Sequence, residues 1–202
     1  MAWIGKSYEK PRQDITDYLS KHFSEGVACE VGVCRGEFSK HLLQNWNCKK
    51  LYLVDFWDHT ESYREGFHKQ NENYEKMISN LEPFKDRIVV CRGESAKIAK
   101  TFEDEMFDFI YIDADHSYEA CKLDLESYWP KLKQGGIMMG DDYTLTPNEK
   151  MDFPQCPGDL YFGVNQAVNE FADKHKKIIN LEYTGDWVYA NGVKSRNFII
   201  QK

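Results

Sequence analysis

Several acidic residues of this chain stand where apolar runs stop. Phe109-Ile110-Tyr111-Ile112 reads as a strand and ends in Asp113, Asp115 and His116, and the run GIMMG (136–140) ends in Asp141 and Asp142. A strand buried on both faces has no use for charge, so these residues mark where the chain leaves the core. Adjacent strands lie ~4.8 Å apart, so carboxylates at neighbouring tips can share one small cation. Without a cation they repel and raise one another's pKa. An all-oxygen ligand set suits Mg²⁺, Mn²⁺ or Ca²⁺ rather than zinc. Neutral imidazole at His116 can take a hydroxyl proton near pH 7. Local roles compete with each of these: Asp115 or Ser117 as a helix cap, Asp141-Asp142 opening a turn, and His116 simply solvated.

Three further tips have the same character. In CEVGVCRGEF, Gly32 and Gly36 flank a turn into a helix, where a missing side chain lets the backbone approach a ligand, and Glu30 stands just before it. A dinucleotide fingerprint needs G-x-G-x-x-G, whose second glycine lets a pyrophosphate touch the helix N-terminus. Cys34 occupies that place, and Glu30 repels phosphate while welcoming a cation. In LVDFWD, Asp55 follows Gly36 by about 20 residues, the spacing of a carboxylate that accepts bonds from ribose hydroxyls. Phe56 and Trp57 beside it are either ring contacts for a base or core. In CRGES, Glu94 and Ser95 open a short helix, with Ser95 as N-cap, as a contact to a base, or as both.

Positioning these tips requires an alternating chain. Ile15, Tyr18, Leu19 and Phe23 share a helical face, predicting a helix over 12–23. Strands are predicted at 27–33, 50–56, 87–93, 109–112 and 136–140, with helices over 36–46, through the polar stretch before 84, and from Ser95. From Ser117 a stripe of Tyr118, Cys121, Leu125, Tyr128 and Leu132 predicts a helix stopped by Gly135-Gly136. Val164, Ala167, Val168 and Phe171 mark a last helix, and KIINLEY (177–183) and RNFIIQ (196–201) read as closing strands. Such alternation with near-continuous apolar strands means an α/β fold, a mostly parallel sheet covered on both faces. In such sheets ligands bind beyond the carboxyl ends of the strands, near the switch point.

The chain has 202 residues, enough for one domain with a full core. It is 42% hydrophobic and 29% charged with a net charge of −7, which favours a neutral or cationic small ligand over nucleic acid. Its six cysteines include no C-x-x-C pair, which argues against zinc; four fall in predicted elements, where a thiol acts as a small hydrophobe. A reduced, cytoplasmic protein is expected, since MAWIGKSYEKPRQ has no apolar signal region and no run is long enough to span a membrane. A homo-oligomer stays open.

E-V-G-V-C-R-G, the acid closing the second strand, D-A-D-H-S-Y and G-G-I-M-M-G-D-D-Y together resemble a class I S-adenosylmethionine-dependent methyltransferase, especially the macrocin-type and cephalosporin-hydroxylase-like O-methyltransferase branch. The similarity covers roughly residues 25–175. The resemblance implies a doubly wound, Rossmann-like sheet of seven strands with the last antiparallel. It implies S-adenosylmethionine with its methionine part near Glu30 and Gly32, its ribose on Asp55, and Gly36, Glu94, Ser95 and Asp113 completing the cofactor site. A sulfonium ligand is positive and carries no phosphate, which matches an acidic rim and a turn without G-x-G. It also carries over Asp113, Asp141 and Asp142 as metal ligands, with Mg²⁺ or another hard divalent cation. Related catechol enzymes place a lysine base three positions after the fourth-strand aspartate; here that position is His116, with Asp113 beside it as the second catalytic candidate.

The expected chemistry is therefore methyl transfer to a small hydroxyl-bearing acceptor of sugar or phenol type, with in-line alignment of oxygen, methyl and sulfur. Alternatives are a metal-independent methyltransferase acting on nitrogen or protein, a nicotinamide oxidoreductase, and a silent binding domain. One domain over 1–202 is expected, with 1–25 as a helical extension. Residues 143–162 read as a lid carrying Tyr143, Phe153, Tyr161 and Phe162, and the polar, aromatic segment 57–75 as a further pocket wall suited to a sugar.

Overall fold

The computed structural model describes residues 9–57, 70–144, 150–151, 160–161, 163–181, 187–188 and 194–202. In chain order these form α1 (Glu9–His22), β1 (Gly26–Val31), α2 (Glu37–Asn45), β2 (Cys48–Asp55), α3 (Gln70–Leu81), β3 (Ile88–Arg92), α4 (Ser95–Ala99), β4 (Phe107–Ile112) and α5 (Tyr118–Tyr128). They continue with β5 (Leu132–Thr144), β6 (Lys150–Met151), β7 (Leu160–Tyr161), α6 (Val164–His175), β8 (Trp187–Val188) and β9 (Lys194–Gln201).

One sheet has the order β3-β2-β1-β4-β5-β9-β8, six strands of some length plus the two-residue β8. Pairings from β3 through β5 are parallel, and β9 lies antiparallel between β5 and β8. The predicted architecture is therefore the observed one. The chain winds outward from β1 to β3 and then returns to β4, so the switch point lies between β1 and β4.

Alternation along the strands feeds two cores. Ala28, Leu51, Leu53, Phe109, Tyr111, Ile137 and Met139 pack against Ile15 and Leu19 of α1, Phe38 and Leu42 of α2, and Met77 and Leu81 of α3. Cys29, Val31, Val54, Ile110, Ile112 and Met138 face the other way, onto Leu125 and Tyr128 of α5 and Val168 and Phe171 of α6. Five cysteines are free thiols, three of them buried, and Cys156 lies outside the described residues. Among the described residues no helix is long and apolar enough to cross a membrane.

Three boundaries depart from expectation. The stripe on α5 runs on to Leu132, but Pro130 has no N–H to continue the helix, so α5 gives way to a single 3₁₀ turn at Trp129–Lys131. Leu132 then opens β5, and Gly135-Gly136 lie inside that strand rather than stopping a helix. Among the described residues of KIINLEY (177–181), only Asn180 pairs with the sheet, through an isolated bridge to Ile199, while the strand beside β9 is Trp187–Val188. Tyr143, expected on a lid, is a buried residue of β5 whose hydroxyl meets Asn169 of α6. Phe153 and Phe162 and most of 57–75 and 143–162 lie outside the described residues, apart from the short antiparallel pair β6–β7.

Candidate active site

The tips of β1 and β4 are pressed together at the switch point. Gly32 has φ 92°, and a Cβ built there would sit 2.0 Å from the carbonyl oxygen of Asp113. Glycine is thus required by both the backbone conformation and the neighbour. Its N–H donates to Val54 O (2.8 Å), and Asp113 N–H donates to Val31 O (2.7 Å), which ties three tips into one rim.

Glu30 is buried beneath this rim and accepts a short hydrogen bond from Ser39 on the first turn of α2. Burial pushes its pKa up to about 8; Ser39 and Arg12 work against the rise, Asp113 and Asp55 with it. Gly36, with φ 71°, starts α2 with its α-carbon turned onto Met77 and Leu81 of α3, so its small size serves helix packing.

Asp55 closes β2 with its carboxylate folded back into the β1–α2 turn. Oδ2 accepts from Val33 N (2.9 Å) and Cys34 N (2.7 Å), and Oδ1 from Trp57 N (3.4 Å). Burial raises its pKa, and these amides pull it partly back. The turn amides that would cradle a phosphate in a dinucleotide enzyme therefore already hold an anion. Trp57 is fully buried, with its indole N–H on Cys34 O (2.9 Å), so it belongs to the core and not to a ring contact.

At β3 the helix cap is Glu94, whose carboxylate pairs with exposed Lys97 at 2.9 Å. The Ser95 hydroxyl does not cap; it donates to Asp124 of α5, a buried carboxyl whose pKa burial lifts to about 6.

The densest chemistry is at β4 and β5. His116 Nε2 lies 2.9 Å from Asp142 Oδ2 and 3.4 Å from Asp113 Oδ1. One ligand-type atom each from Asp113, His116 and Asp142 falls within 4.8 Å of the others. Asp142 takes the left-handed conformation (φ 59°) where the β5–β9 register slips between Gly140 and Tyr143. Such a bulge re-aims a side chain, and here it turns a buried carboxylate onto the imidazole. Asp141 is not among the converging groups; its Oδ1 accepts the amide of Asp142 at 2.6 Å. Asp115 closes a local turn, accepting from Ser117 N (2.8 Å), while Ser117 holds the N-cap position of α5 without a side-chain cap bond; Gly163 N donates to His116 O (2.9 Å), bringing the start of α6 beside the cluster.

Burial disfavours the imidazolium, yet the charge of Asp142 and the hydrogen bonds from both aspartates outweigh it and hold the His116 pKa well above the ordinary value. Burial and the Asp142 charge raise Asp113, while His116 lowers it. Asp141 is raised by burial and by both other aspartates. Asp113 and Asp142 with the imidazole between them, and the Asp141 carboxyl adjoining, form a site that attracts positive charge. The donors Asp113, His116 and Asp142 mix one nitrogen with carboxylate oxygens, a set that suits Mn²⁺ and other first-row divalent ions besides Mg²⁺. Sequence reasoning missed Ser39 and Arg12; the signal for both was a polar residue on a helix face otherwise facing the core.

A family model described as a methyltransferase domain matches residues 29–143. No curated protein matches the chain. Among solved structures, the chain is similar to an O-methyltransferase from Bacillus cereus in complex with SAH, at 16% identity and TM-score 0.64, covering all (100%) of this chain and 84% of that one. The 1,6-didemethyltoxoflavin-N1-methyltransferase of Burkholderia thailandensis is similar at 12% identity and TM-score 0.64, over 99% and 80% of the two chains. An N-methyltransferase from Bradyrhizobium japonicum, at 12% identity and TM-score 0.63, covers 96% and 94%. These likenesses carry the fold, and the family match spans more than half of the chain, from β1 to the bulge of β5. The protein belongs to the methyltransferase domain family and is a methyl-transferring enzyme.

Proposed function

We propose that this methyltransferase takes its methyl group from S-adenosylmethionine and delivers it to a hydroxyl of a small, polar acceptor of sugar or phenol type, as in the macrocin-like O-methyltransferase branch. The observation that carries this reading is the convergence of Asp113, His116 and Asp142 beside the acidic β1–β4 rim. The acidic rim suits a sulfonium, and the anion already seated in the β1–α2 turn disfavours a dinucleotide. S-adenosylhomocysteine in the Bacillus and Burkholderia relatives supports the same donor.

Glu30, Gly32 and Asp113 would bind the amino-acid end of the donor. Asp55 holds the turn in shape, and Glu94 and Ser95 stand at the third tip beside the base. Asp113 and Asp142 would hold a divalent cation, which supplies a lowered pKa and a fixed position for the acceptor hydroxyl. With those carboxylates turned to the cation, His116 would lose the charges that raise its pKa and would take the hydroxyl proton at Nε2.

A second reading has its own observation: Nε2 of His116 already bridges both carboxylates, so a protonated imidazole balances them without a metal. Under it the acceptor extends to nitrogen. The two part in one experiment. Methyl transfer from labelled S-adenosylmethionine into a panel of sugars, phenols and amines is followed with EDTA and with Mg²⁺ or Mn²⁺ added back. The first reading expects activity lost in chelator and restored by metal, and Asp142→Ala to remove the restoration. Full activity in EDTA ends it. His116→Ala lowers transfer by about 10²–10⁴-fold under either reading.

A further inference from the structure

Helix α6 meets both strand tips of the cluster, and one of its contacts is polar where packing asks only for an apolar group. The buried face of α6 carries Val164, Ala167, Val168 and Phe171, in one apolar cluster with Phe198 of β9 and the Tyr143 ring of β5. Within this contact the Tyr143 hydroxyl lies 3.3 Å from Asn169 Oδ1 and 3.1 Å from Asn169 Nδ2. The same Nδ2 lies 2.7 Å from Asn165 O and 3.0 Å from Asn165 Oδ1, one helical turn earlier. The Asn169 amide is thus fixed by its own helix before it reaches Tyr143. Tyr143 and Asn165 are both buried. Phenylalanine and leucine would fill the same space but would let strand and helix slide, whereas a satisfied buried polar pair holds one register.

Tyr143 is the residue that follows the bulge. Asp142 stands in the left-handed conformation (φ 59°), which a non-glycine residue keeps only where its neighbours over-determine it. On the preceding side Asp141 Oδ1 accepts the Asp142 amide at 2.6 Å. On the following side Tyr143 holds the chain, through its pairing with Arg196 of β9 and through its hydroxyl on Asn169. The start of the same helix holds the other tip. Gly163 N donates to His116 O at 2.9 Å, and a Cβ at Gly163 would come within 2.3 Å of Tyr118 N, so α6 seats directly on the turn between β4 and α5. Gly163 and Asn169 lie about 9 Å apart along the axis. Helix α6 is therefore a rigid spacer between the turn that carries the imidazole and the bulge that carries Asp142.

Resting on the divalent-cation reading above, we propose that Asn169 and Tyr143 are positioning residues for Asp142, and that the bond between them holds its carboxylate where it meets His116 and the cation. Neither touches the reacting atoms. Their effect reaches the site through the backbone of the bulge. The family model ends at residue 143, so Asn169 is supplied by a helix beyond the matched region.

Mn²⁺ binding, followed by the paramagnetic resonance signal of the free ion, tests this without acceptor or turnover. The proteins compared are the native chain, Tyr143→Phe, Asn169→Leu, the double variant, and Val168→Ala as a core truncation on the same helix. Each of the first two should weaken Mn²⁺ binding about tenfold, the lower end of what losing a ligand-supporting partner costs. The double variant should lose no more than either single one, because both changes remove the same bond. Val168→Ala should melt earlier yet bind Mn²⁺ like the native protein, which separates positioning from stability. Should Asn169→Leu not fold, Tyr143→Phe against Val168→Ala decides the matter. The proposal is overturned if either single variant binds Mn²⁺ as the native protein does, if the losses multiply in the double variant, or if Val168→Ala loses as much. If the native protein binds no Mn²⁺, the cation reading falls and takes this proposal with it.

Discussion

Glu30→Gln separates what a buried acid costs the fold from what it gives the ligand. Glutamine keeps the shape and can still accept from Ser39, and it removes only the charge. The carboxyl has a pKa near 8 in the folded protein against an ordinary 4.5. Stability from this group is therefore fully present below about pH 4.5 and is lost as the pH rises through about 8. That gap sets a ceiling of about 5 kcal/mol on the penalty at alkaline pH. Even a third of the ceiling moves the melting temperature of a chain this size by about 3–6 °C. The measurement is thermal unfolding of native and Glu30→Gln protein at pH 5 and pH 9 without ligand. Groups remote from residue 30 titrate equally in both proteins, so the difference between them reports on residue 30 and the acids coupled to it. The variant should gain on the native protein by several degrees at pH 9 and by little at pH 5, while binding S-adenosylmethionine about tenfold or more weakly. An equal melting difference at both pH values would refute the burial argument. Undiminished donor binding would refute the placing of the donor's positive end at this carboxylate.

Three further substitutions test the turn geometry, two at the rim and one away from it. Gly32→Ala should cost about 3 kcal/mol or more, from a left-handed conformation and from contact with the Asp113 carbonyl, and lower the melting temperature by about 6–12 °C. Gly135→Ala shares the positive φ (77°) but meets nothing within 4 Å, so it should cost only about 1 kcal/mol; equal losses would mean that the β1–β4 contact yields freely. Asp55→Ala deprives the Val33 and Cys34 amides of their acceptor and should cost about 2 kcal/mol, read as a melting drop of about 4–8 °C. An unchanged melt would show that the turn holds itself.

The tips were legible because burial and charge exclude each other along a strand: Ile112 gives way to Asp113, and Val54 to Asp55, where the sheet ends. What each tip residue touches was not legible. The spacing of Asp55 from Gly36 suits an outward-facing ribose acceptor, yet its carboxylate is bound by the adjacent turn, since Cys34 in a left-handed conformation presents its amide there. The pair Asp141-Asp142 could not be divided from sequence. Only the bulge opposite β9 decides that Asp142 faces His116 while Asp141 does not, and a bulge depends on a strand more than 50 residues further along. Leu132 illustrates the limit of periodicity. It lies in the core as the stripe predicts, but as a strand residue beyond Pro130, because one apolar position can serve either element.

The insertion of β9 between β5 and β8 also dictates an order of assembly. β8 precedes β9 in the chain and, among the described strands, pairs with it alone, so it has no seat until its successor has docked. During synthesis the long flank of β5 stays open, with its amides and carbonyls offered to any extended segment nearby. Removing residues 194–201 would accordingly strip two strands from the sheet rather than one, and would leave that flank exposed as a seam for aggregation.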